Sequence, residues 1–315
     1  MRIIFFGTPA FSVPFLQTLI DDPDMEVVAV VSQGDKAAGR GGTVQPSTIK
    51  TLALAHSIPV LTPASLKTDM SITEQLTDLR ADAFVVVAYG KLIPKTILDL
   101  APLGVVNVHP SLLPRHRGPS PMQWAIAAGD AISGVTIMRL DEGMDTGPVL
   151  SFETIELDAE ETYTTLARKV QAVGAPLLLS TLKRHGRSEI VPLRQDDSKA
   201  TLTRLLERKD GHADWTKPMA EIERLARAYN EWPGLWCLWT RGGQEPQRLK
   251  LTTIRPADFV ADVSPGTVTI KDDRLFVDCQ DGTLEILELQ PEGKSKMPAR
   301  AFIQGNREIQ NAQLA

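Results

Sequence analysis

Two polar side chains with catalytic potential stand two positions apart at the end of an apolar segment. Asn107 and His109 close residues 105–109, which read VVNVH. If this segment is a β-strand, its alternation puts both side chains on one face of the sheet. At the carboxyl end of a parallel strand, where open α/β sheets bind ligands, an amide can polarise a carbonyl and an imidazole can move a proton. Spacing alone leaves a second interpretation open, in which the asparagine is structural and the histidine belongs to the core.

A second polar group follows another apolar segment, residues 135–140. Residues 141–147 read DEGMDTG, which combines carboxylates with glycines. We expect a loop that places Asp145 in a cleft, where it would form an acid–base pair with His109. Asp and Gly also favour turns, so a plain hairpin connection is the alternative.

An alternation of apolar and helical patterns predicts the sheet that must position these groups. This order implies an α/β fold with a parallel sheet. The first strand ends at Gly7, after which we predict Thr8 as a helix N-cap and Pro9 as the first helical residue. No G-x-G-x-x-G motif follows this strand, which argues against a nicotinamide cofactor. The predicted strands are residues 3–6, 26–31, 59–61, 83–87, 105–108, 135–140 and 149–155, and the predicted helices include 47–56, 71–80, 95–100, 121–128 and 161–183.

A polar segment separates this alternation of strands and helices from a region in which short strand patterns predominate. We predict a catalytic domain over residues 1–188, a linker over 189–206 and a second domain over 207–315. In the second domain, a helix over 219–228 precedes five short strands, which suggest a small β-barrel, with a β-sandwich as the alternative. The polar tail from Gln304 is predicted to fray. The predicted strands are residues 235–239, 248–254, 266–270, 275–279 and 284–289.

The composition limits the classes of function. The 315 residues are 43% hydrophobic and 23% charged, which is globular usage, and the length corresponds to about two domains. Because 34 Lys and Arg face 39 Asp and Glu, the net charge is −5 and nucleic-acid binding would need a local basic patch. Cys237 and Cys279 form neither a disulfide framework nor a zinc motif, and we expect no metal. No apolar run has the length of a membrane span and no signal-peptide core is present, so we expect a cytoplasmic protein.

The order of these motifs resembles that of the 10-formyltetrahydrofolate-dependent formyltransferases. Asn107-x-His109 is followed by SLLP at 111–114 and then by D-x-G-x-D-T-G at 141–147. Similarity to the methionyl-tRNA formyltransferase branch of this family extends over nearly the whole chain. It lies in FGTP at 6–9, AGRG at 38–41, VVAYG at 86–90, ADW at 213–215, N-x-WP at 230–233 and LQPEGK at 289–294.

The resemblance implies a Rossmann-like parallel-sheet domain followed by a small OB-like β-barrel domain that binds tRNA. It implies transfer of a formyl group from the co-substrate 10-formyltetrahydrofolate to the amino group of methionine on initiator Met-tRNA, which supports translation initiation. The implied partner is initiator methionyl-tRNA, and we expect a monomer without membrane association.

The resemblance also implies roles for individual residues. Asn107 would hold the formyl oxygen as it becomes an oxyanion, His109 would stabilise that charge or move a proton, and Asp145 would orient His109. Arg40 would contact the acceptor end of the tRNA. The residues implied to line the folate pocket are Ser111, Leu112, Leu113, Pro114, Ala88, Tyr89 and Gly90.

Two alternatives remain at this point. One is a formyltransferase of the same core that acts on an amino-sugar nucleotide or hydrolyses the folate. The other is a tRNA-binding or folate-binding protein without catalysis, although the intact set of Asn107, His109 and Asp145 argues against it.

Overall fold

The computed structural model describes residues 1–38, 43–260 and 264–315. Arg40, expected at the tRNA, therefore lies outside the described residues. The contacts divide the chain into two compact units. The first consists of residues 1–121, 132–156 and 167–204, and the second of residues 122–131, 157–166 and 205–315.

The first unit is built on a seven-stranded sheet in the order β5-β2-β1-β6-β7-β8-β9, with a separate two-stranded sheet of β3 and β4. The strands are β1 (Arg2–Gly7), β2 (Glu26–Val31), β3 (Lys36–Ala38), β4 (Thr43–Gln45), β5 (Val60–Leu61), β6 (Ala83–Val87), β7 (Val105–His109), β8 (Ile132–Arg139) and β9 (Val149–Glu156). The expected α/β fold class is confirmed. The sheet is parallel from β5 to β7, whereas β8 pairs antiparallel with β7 and with β9, so the sheet is mixed. An antiparallel pair needs only a short connection, and the loop between β8 and β9 contains Asp145.

Helices connect most of these strands, and the apolar strand residues form a buried core. The helices are α1 (Val13–Asp21), α2 (Thr48–Ala55), α3 (Met70–Asp78), α4 (Lys95–Leu98), α5 (Pro121–Ala128) and α6 (Tyr163–Gly186). Phe6, Val31 and Phe84 lie together in the core, because their strands carry apolar residues on this face. The prediction that Thr8 caps the first helix is wrong. Its hydroxyl lies 3.4 Å from the carbonyl oxygen of Tyr89 instead, and a short 3₁₀ turn begins at Ala10.

The second unit contains an antiparallel sheet with its own core. Its elements are α7 (Met219–Ala228), β10 (Leu235–Trp239), β11 (Gln247–Pro256), β12 (Val268–Lys271), β13 (Arg274–Asp278), β14 (Thr283–Pro291), β15 (Met297–Pro298) and α8 (Ala299–Gln304). The pairing order is β10-β11-β14-β13-β12, and β15 pairs with β14. The strand path by itself is open, since β10 and β12 stand at its two ends. This arrangement is compatible with the expected small barrel.

The C-terminal tail does not fray, contrary to the prediction from its polar composition. Leu238 and Ala315 exchange two backbone hydrogen bonds of 2.6 and 3.0 Å, which tie the chain end to β10. Val268 of β12 donates to the carbonyl oxygen of Ala312 at 2.9 Å. Ile309 and Leu314 are buried in the core of the unit. The tail thus bonds to both edge strands, because two apolar residues within a polar sequence anchor it.

Leu314→Ala is expected to lower the free energy of unfolding of the second unit by about 2–4 kcal/mol, since it empties a buried leucine site. Leu314 is 3% exposed. Urea unfolding followed by tryptophan fluorescence measures this effect, because all five tryptophans belong to the second unit. Leu92→Ala is the control, at a side chain that is 87% exposed. Equal unfolding midpoints for the two variants would show that the tail contributes nothing.

Candidate active site

Strand β7 positions Asn107 and His109 in the first unit. It lies between β6, where Val86 pairs with Asn107, and β8, where Thr136 pairs with His109. The strand is buried except at Asn107, which is half-buried. Among the residues that the structure describes, no hydrogen bond engages the Asn107 amide. This amide is therefore available to a ligand.

The hydrogen-bond partners of the His109 imidazole indicate its tautomer. Its Nε2 lies 3.0 Å from the carbonyl oxygen of His116. Because a carbonyl oxygen only accepts hydrogen bonds, the hydrogen-bond network assigns the proton of the neutral ring to Nε2. The other nitrogen, Nδ1, lies 3.6 Å from Oδ2 of Asp145. Nδ1 is thus the atom that can accept a proton, and Asp145 stands where it would stabilise the resulting cation.

Burial lowers the pKa of His109 below its ordinary value, because the low-dielectric surroundings disfavour the imidazolium. The charge of Asp145 and the hydrogen bond to the His116 carbonyl oppose this change, and the nearby His116 ring adds to it. The side chain of His109 is only 5% exposed, so desolvation dominates. A histidine that is neutral at neutral pH can act as a general base.

The His109 ring is expected to titrate below the ordinary histidine pKa of about 6.5. The neutral base then persists as the pH falls and is lost only as the pH passes through the lowered pKa. NMR chemical shifts of the ring measure the midpoint, with the signal assigned by its absence in His109→Gln. Asp145→Asn should lower the midpoint further, since it removes the negative charge that favours the imidazolium. A wild-type midpoint above the ordinary value contradicts this account.

The loop between β8 and β9 is organised around two aspartates. Oδ1 of Asp141 accepts hydrogen bonds from the backbone N–H of Gly143 at 3.0 Å and the hydroxyl of Thr146 at 2.7 Å. Asp145 has a left-handed backbone with φ of 55°, and its Oδ2 accepts from the N–H of Gly118 at 2.8 Å. The loop is therefore both the hairpin connection of the alternative interpretation and the segment that brings Asp145 to His109.

Gly147→Ala is expected to reduce activity by roughly 10- to 100-fold, because a misplacement of about 1 Å has an effect of that size. A Cβ at Gly147 would lie 1.9 Å from the carbonyl oxygen of Arg139, so the Asp145 loop must shift. The measurement is kcat for the formyl transfer that the family resemblance implies, with thermal unfolding to establish folding. Gly34→Ala is the matched control, since a Cβ there meets no atom of the described residues within 4 Å. Unchanged kcat in Gly147→Ala would show that the loop tolerates displacement.

The segment 111–114 forms a tight loop after β7. The Ser111 hydroxyl donates to the carbonyl oxygen of Arg115 at 2.6 Å. Thr136 of β8 donates its hydroxyl to the Ser111 carbonyl at 2.6 Å and accepts from the N–H of Leu113 at 3.1 Å. The structure thus uses the serine hydroxyl to shape the loop, and leaves Leu112, Leu113 and Pro114 half-buried beside it.

The segment 88–90 follows β6 and alternates exposed and buried residues. Ala88 and Gly90 are exposed and have positive φ values of 49° and 78°. The Tyr89 side chain points the other way, with its ring edge-on to Phe6 at 5.5 Å between centroids. Its burial raises the pKa of the Tyr89 hydroxyl to about 12. Any ligand contact from this segment therefore comes from the backbone or from Ala88 and Gly90.

Sequence reasoning missed two groups that shape the site. Thr136 fixes the 111–114 loop, and its signal was the one hydroxyl among residues 135–140, which were predicted as a strand. Gly118 donates to Asp145, and a glycine with φ of 108° is suited to this turn because a Cβ would lie 2.6 Å from the Thr203 carbonyl oxygen. The spacing of residues gives no direct signal for Gly118.

Other reactive groups offer little competing chemistry. Burial raises the pKa of the Cys237 and Cys279 thiols to about 12, so neither is a thiolate at neutral pH. Within residues 1–38, 43–260 and 264–315, no three His, Cys, Asp or Glu side chains gather as a metal site. In the same described part of the chain, no helix combines the length and the apolar character needed to cross a membrane.

Comparison with known proteins identifies the family. Residues 1–182 match the formyl transferase family, and residues 205–307 match the formyl transferase C-terminal domain. The methionyl-tRNA formyltransferase of Roseiflexus sp. strain RS-1 is 43% identical over 308 residues, 98% of this chain and 93% of the relative. The methionyl-tRNA formyltransferase of Acidobacterium capsulatum is 41% identical over 307 residues, 97% of each chain.

A solved structure shares the fold. It is the N-formyltransferase from Helicobacter canadensis in complex with folinic acid and dTDP-3-aminofucose. The TM-score is 0.64 at 16% identity, over 91% of this chain and 98% of that one. The match of the formyl transferase family to residues 1–182 covers more than half of the chain and includes Asn107, His109 and Asp145. The chain therefore belongs to the formyl transferase family.

Proposed function

We propose that this protein transfers a formyl group from 10-formyltetrahydrofolate to the amino group of methionine on initiator Met-tRNA, in support of translation initiation. The observation that carries the proposal is the buried His109 paired with the half-buried Asp145, with His109 two residues from the Asn107 amide, which makes no hydrogen bond among the described residues. Relatives that are 41–43% identical over nearly the whole chain carry the name methionyl-tRNA formyltransferase.

The reaction needs a donor for developing negative charge. When the amine attacks the formyl carbon, the formyl oxygen becomes an oxyanion, and a preorganised donor stabilises it. The Asn107 side chain is half-buried and unpaired among the described residues, so it can offer its N–H groups without first breaking a protein hydrogen bond. We assign the oxyanion contact to Asn107 on this ground.

The reaction also needs a proton acceptor, since the attacking amine must lose a proton. Nδ1 of His109 is the unprotonated ring nitrogen, and its neighbour at 3.6 Å is a carboxylate. Proton transfer from the amine to Nδ1 produces an imidazolium whose Nε2–H remains bound to the His116 carbonyl and whose Nδ1–H faces Asp145. Asp145 therefore orients His109 and stabilises its charged form.

The folate would bind along the ends of β6 and β7. We propose that Ser111, Leu112, Leu113 and Pro114 line this pocket together with the backbone of residues 88–90. Half-buried apolar side chains beside exposed backbone suit a flat heteroaromatic ring with polar edges. The Ser111 hydroxyl would act indirectly, because it is already bound to Arg115.

The remaining elements of the proposal concern the acceptor and the organisation of the chain. We propose a catalytic domain at 1–188, a linker at 189–206 and a tRNA-binding domain at 207–315, with Arg40 as a further tRNA contact. A monomer suffices because all three proposed catalytic residues come from one chain. We also propose a cytoplasmic location, which suits an acceptor that belongs to translation.

An acceptor comparison tests the proposed function. Radiolabelled 10-formyltetrahydrofolate is incubated with the full chain and, in separate reactions, methionine-charged initiator tRNA, methionine-charged elongator tRNA or an amino-sugar nucleotide. The proposal expects transfer to the initiator and much less to the elongator. Transfer to the amino-sugar nucleotide alone would move the assignment to the sugar-modifying members of the same fold.

A further inference from the structure

The segment that follows α6 returns to the catalytic loops of the first unit. Leu193 and Val149 exchange two backbone hydrogen bonds of 2.8 Å at the start of β9. Farther along, the N–H of Arg117 donates to the Thr201 carbonyl at 2.9 Å, and the N–H of Thr203 donates to the Arg117 carbonyl at 2.7 Å. This segment is thereby bonded both to the strand that leaves the Asp145 loop and to the residue after His116.

Gln195 stands at the centre of these contacts, and every hydrogen-bonding position of its amide is occupied. Its Nε2 donates to the carbonyl oxygens of Asp145 at 2.8 Å and Gly147 at 2.7 Å. Its Oε1 accepts from Nε and Nη2 of Arg117 at 3.0 and 2.9 Å. Because a guanidinium only donates and a carbonyl only accepts, these partners fix the orientation of the amide. Gln195 is 7% exposed, so solvent does not readily replace these bonds.

The contacts form a closed ring around the Asp145 carboxylate. Arg117 holds Gln195 through its side chain, and the next residue, Gly118, donates its N–H to Oδ2 of Asp145. The same Oδ2 faces Nδ1 of His109. Gln195 closes the ring by holding the Asp145 carbonyl. Asp145 is thus held at two places: Gly118 binds its carboxylate and Gln195 binds its backbone carbonyl.

The backbone of Asp145 needs such support. Its φ of 55° is left-handed, a conformation that is unfavourable for most residues with a Cβ. Strained residues of this kind persist where the surroundings over-determine them. The two carbonyls held by Gln195 lie at Asp145 itself and two residues beyond it, on either side of Thr146. These two hydrogen bonds therefore hold both sides of the turn that directs the Asp145 carboxylate toward His109.

We propose that Gln195 is a positioning residue for the Asp145 carboxylate, acting through the Asp145–Gly147 backbone and held in place by the Arg117 guanidinium. The proposal rests on the proposed function, in which Asp145 assists proton transfer at His109. It assigns to the 189–206 segment a role in the catalytic site beyond connecting two domains.

Gln195→Met tests the proposal by removing both donors while keeping a similar side-chain length. The expected result is a fall in kcat of roughly 10- to 100-fold, because the Asp145 carboxylate is no longer held in position beside His109. KM should change by less than about twofold, because the substrate contacts remain. Arg194→Met is the matched control at the neighbouring exposed position and should leave kcat unchanged. Gln195→Glu retains a partner for Arg117 and also lacks the two donors, so it should show the same fall if Gln195→Met does not fold.

Two further readouts separate positioning from a general structural role. In an Asp145→Asn background, Gln195→Met should cause little additional loss of kcat, because a residue that acts through Asp145 has nothing left to position. In the free protein, the NMR titration midpoint of His109 should move to lower pH in Gln195→Met, as the negative charge that favours the imidazolium is displaced. Independent, multiplicative losses or an unchanged His109 midpoint would overturn the proposal.

The design also separates this proposal from the proposed function. If the wild-type protein formylates no methionyl-tRNA, the proposed function fails. The His109 titration requires no acceptor, so a lowered midpoint in Gln195→Met would still support the positioning role, and an equal midpoint would still overturn it.

Discussion

Replacement of His109 by alanine is expected to lower kcat for formyl transfer by about 10²- to 10⁴-fold, the usual contribution of a general base. Nδ1 is the site on this ring that can take the proton of the attacking amine, because Nε2–H is bound to the His116 carbonyl. Without the ring, the proton must pass to water. The equilibrium affinity for the folate should change little, since the imidazole is buried at the end of β7 and acts when the amine attacks the formyl carbon.

Two companion variants make this expectation specific. Asp145→Asn keeps the shape of the side chain and removes its charge, so it should lower kcat without altering the acceptor preference. His56→Ala is the control, at an exposed histidine of α2's C-terminal end, and should behave like the wild type. Single-turnover rates measure the chemical step apart from product release. Wild-type rates in both His109→Ala and Asp145→Asn would remove this pair from the mechanism.

Asn107→Ala is expected to lower kcat by about 10²- to 10³-fold, the effect of losing one oxyanion donor. The amide makes no protein hydrogen bond among the described residues, so its removal leaves no buried partner unsatisfied. The loss should therefore appear in catalysis and not in the free energy of unfolding. Kinetic measurement of kcat and KM, together with urea unfolding, distinguishes the two effects.

Asn107→Asp sharpens the test at the same position. The carboxylate has nearly the same size, but it presents negative charge to an oxygen that itself becomes negative. Its kcat should fall at least as far as that of Asn107→Ala. A variant with aspartate that keeps the wild-type kcat would show that no oxyanion forms beside residue 107.

The sequence predicted the central strands and the side chains that meet at the candidate site, because these features depend on local patterns. The apolar segment ending in Asn107 and His109 forms β7, and the D-x-G-x-D-T-G loop brings Asp145 to 3.6 Å from His109. Alternation in a strand and turn chemistry in a loop are both encoded in adjacent residues. Local pattern therefore indicated which side chains could meet.

Features that depend on contacts between distant residues could not be predicted from local sequence patterns. The antiparallel direction of β8 and β9 is set by pairing across the sheet, and an apolar run reads alike in either direction. The tail from Gln304 was predicted to fray because its two apolar anchors, Ile309 and Leu314, stand in a polar sequence. Gln195 lies in a polar segment and contacts a loop 50 residues away, so no spacing rule marks it.

The most direct test of the account is single-turnover formyl transfer from labelled 10-formyltetrahydrofolate to methionine-charged initiator tRNA, with His109→Ala and Asn107→Ala run beside the wild type. The account predicts formylmethionyl-tRNA from the wild type and losses of the sizes given above in the two variants, all with folate still bound. Bound folate without transfer by the wild type, or equal rates in all three proteins, would contradict it.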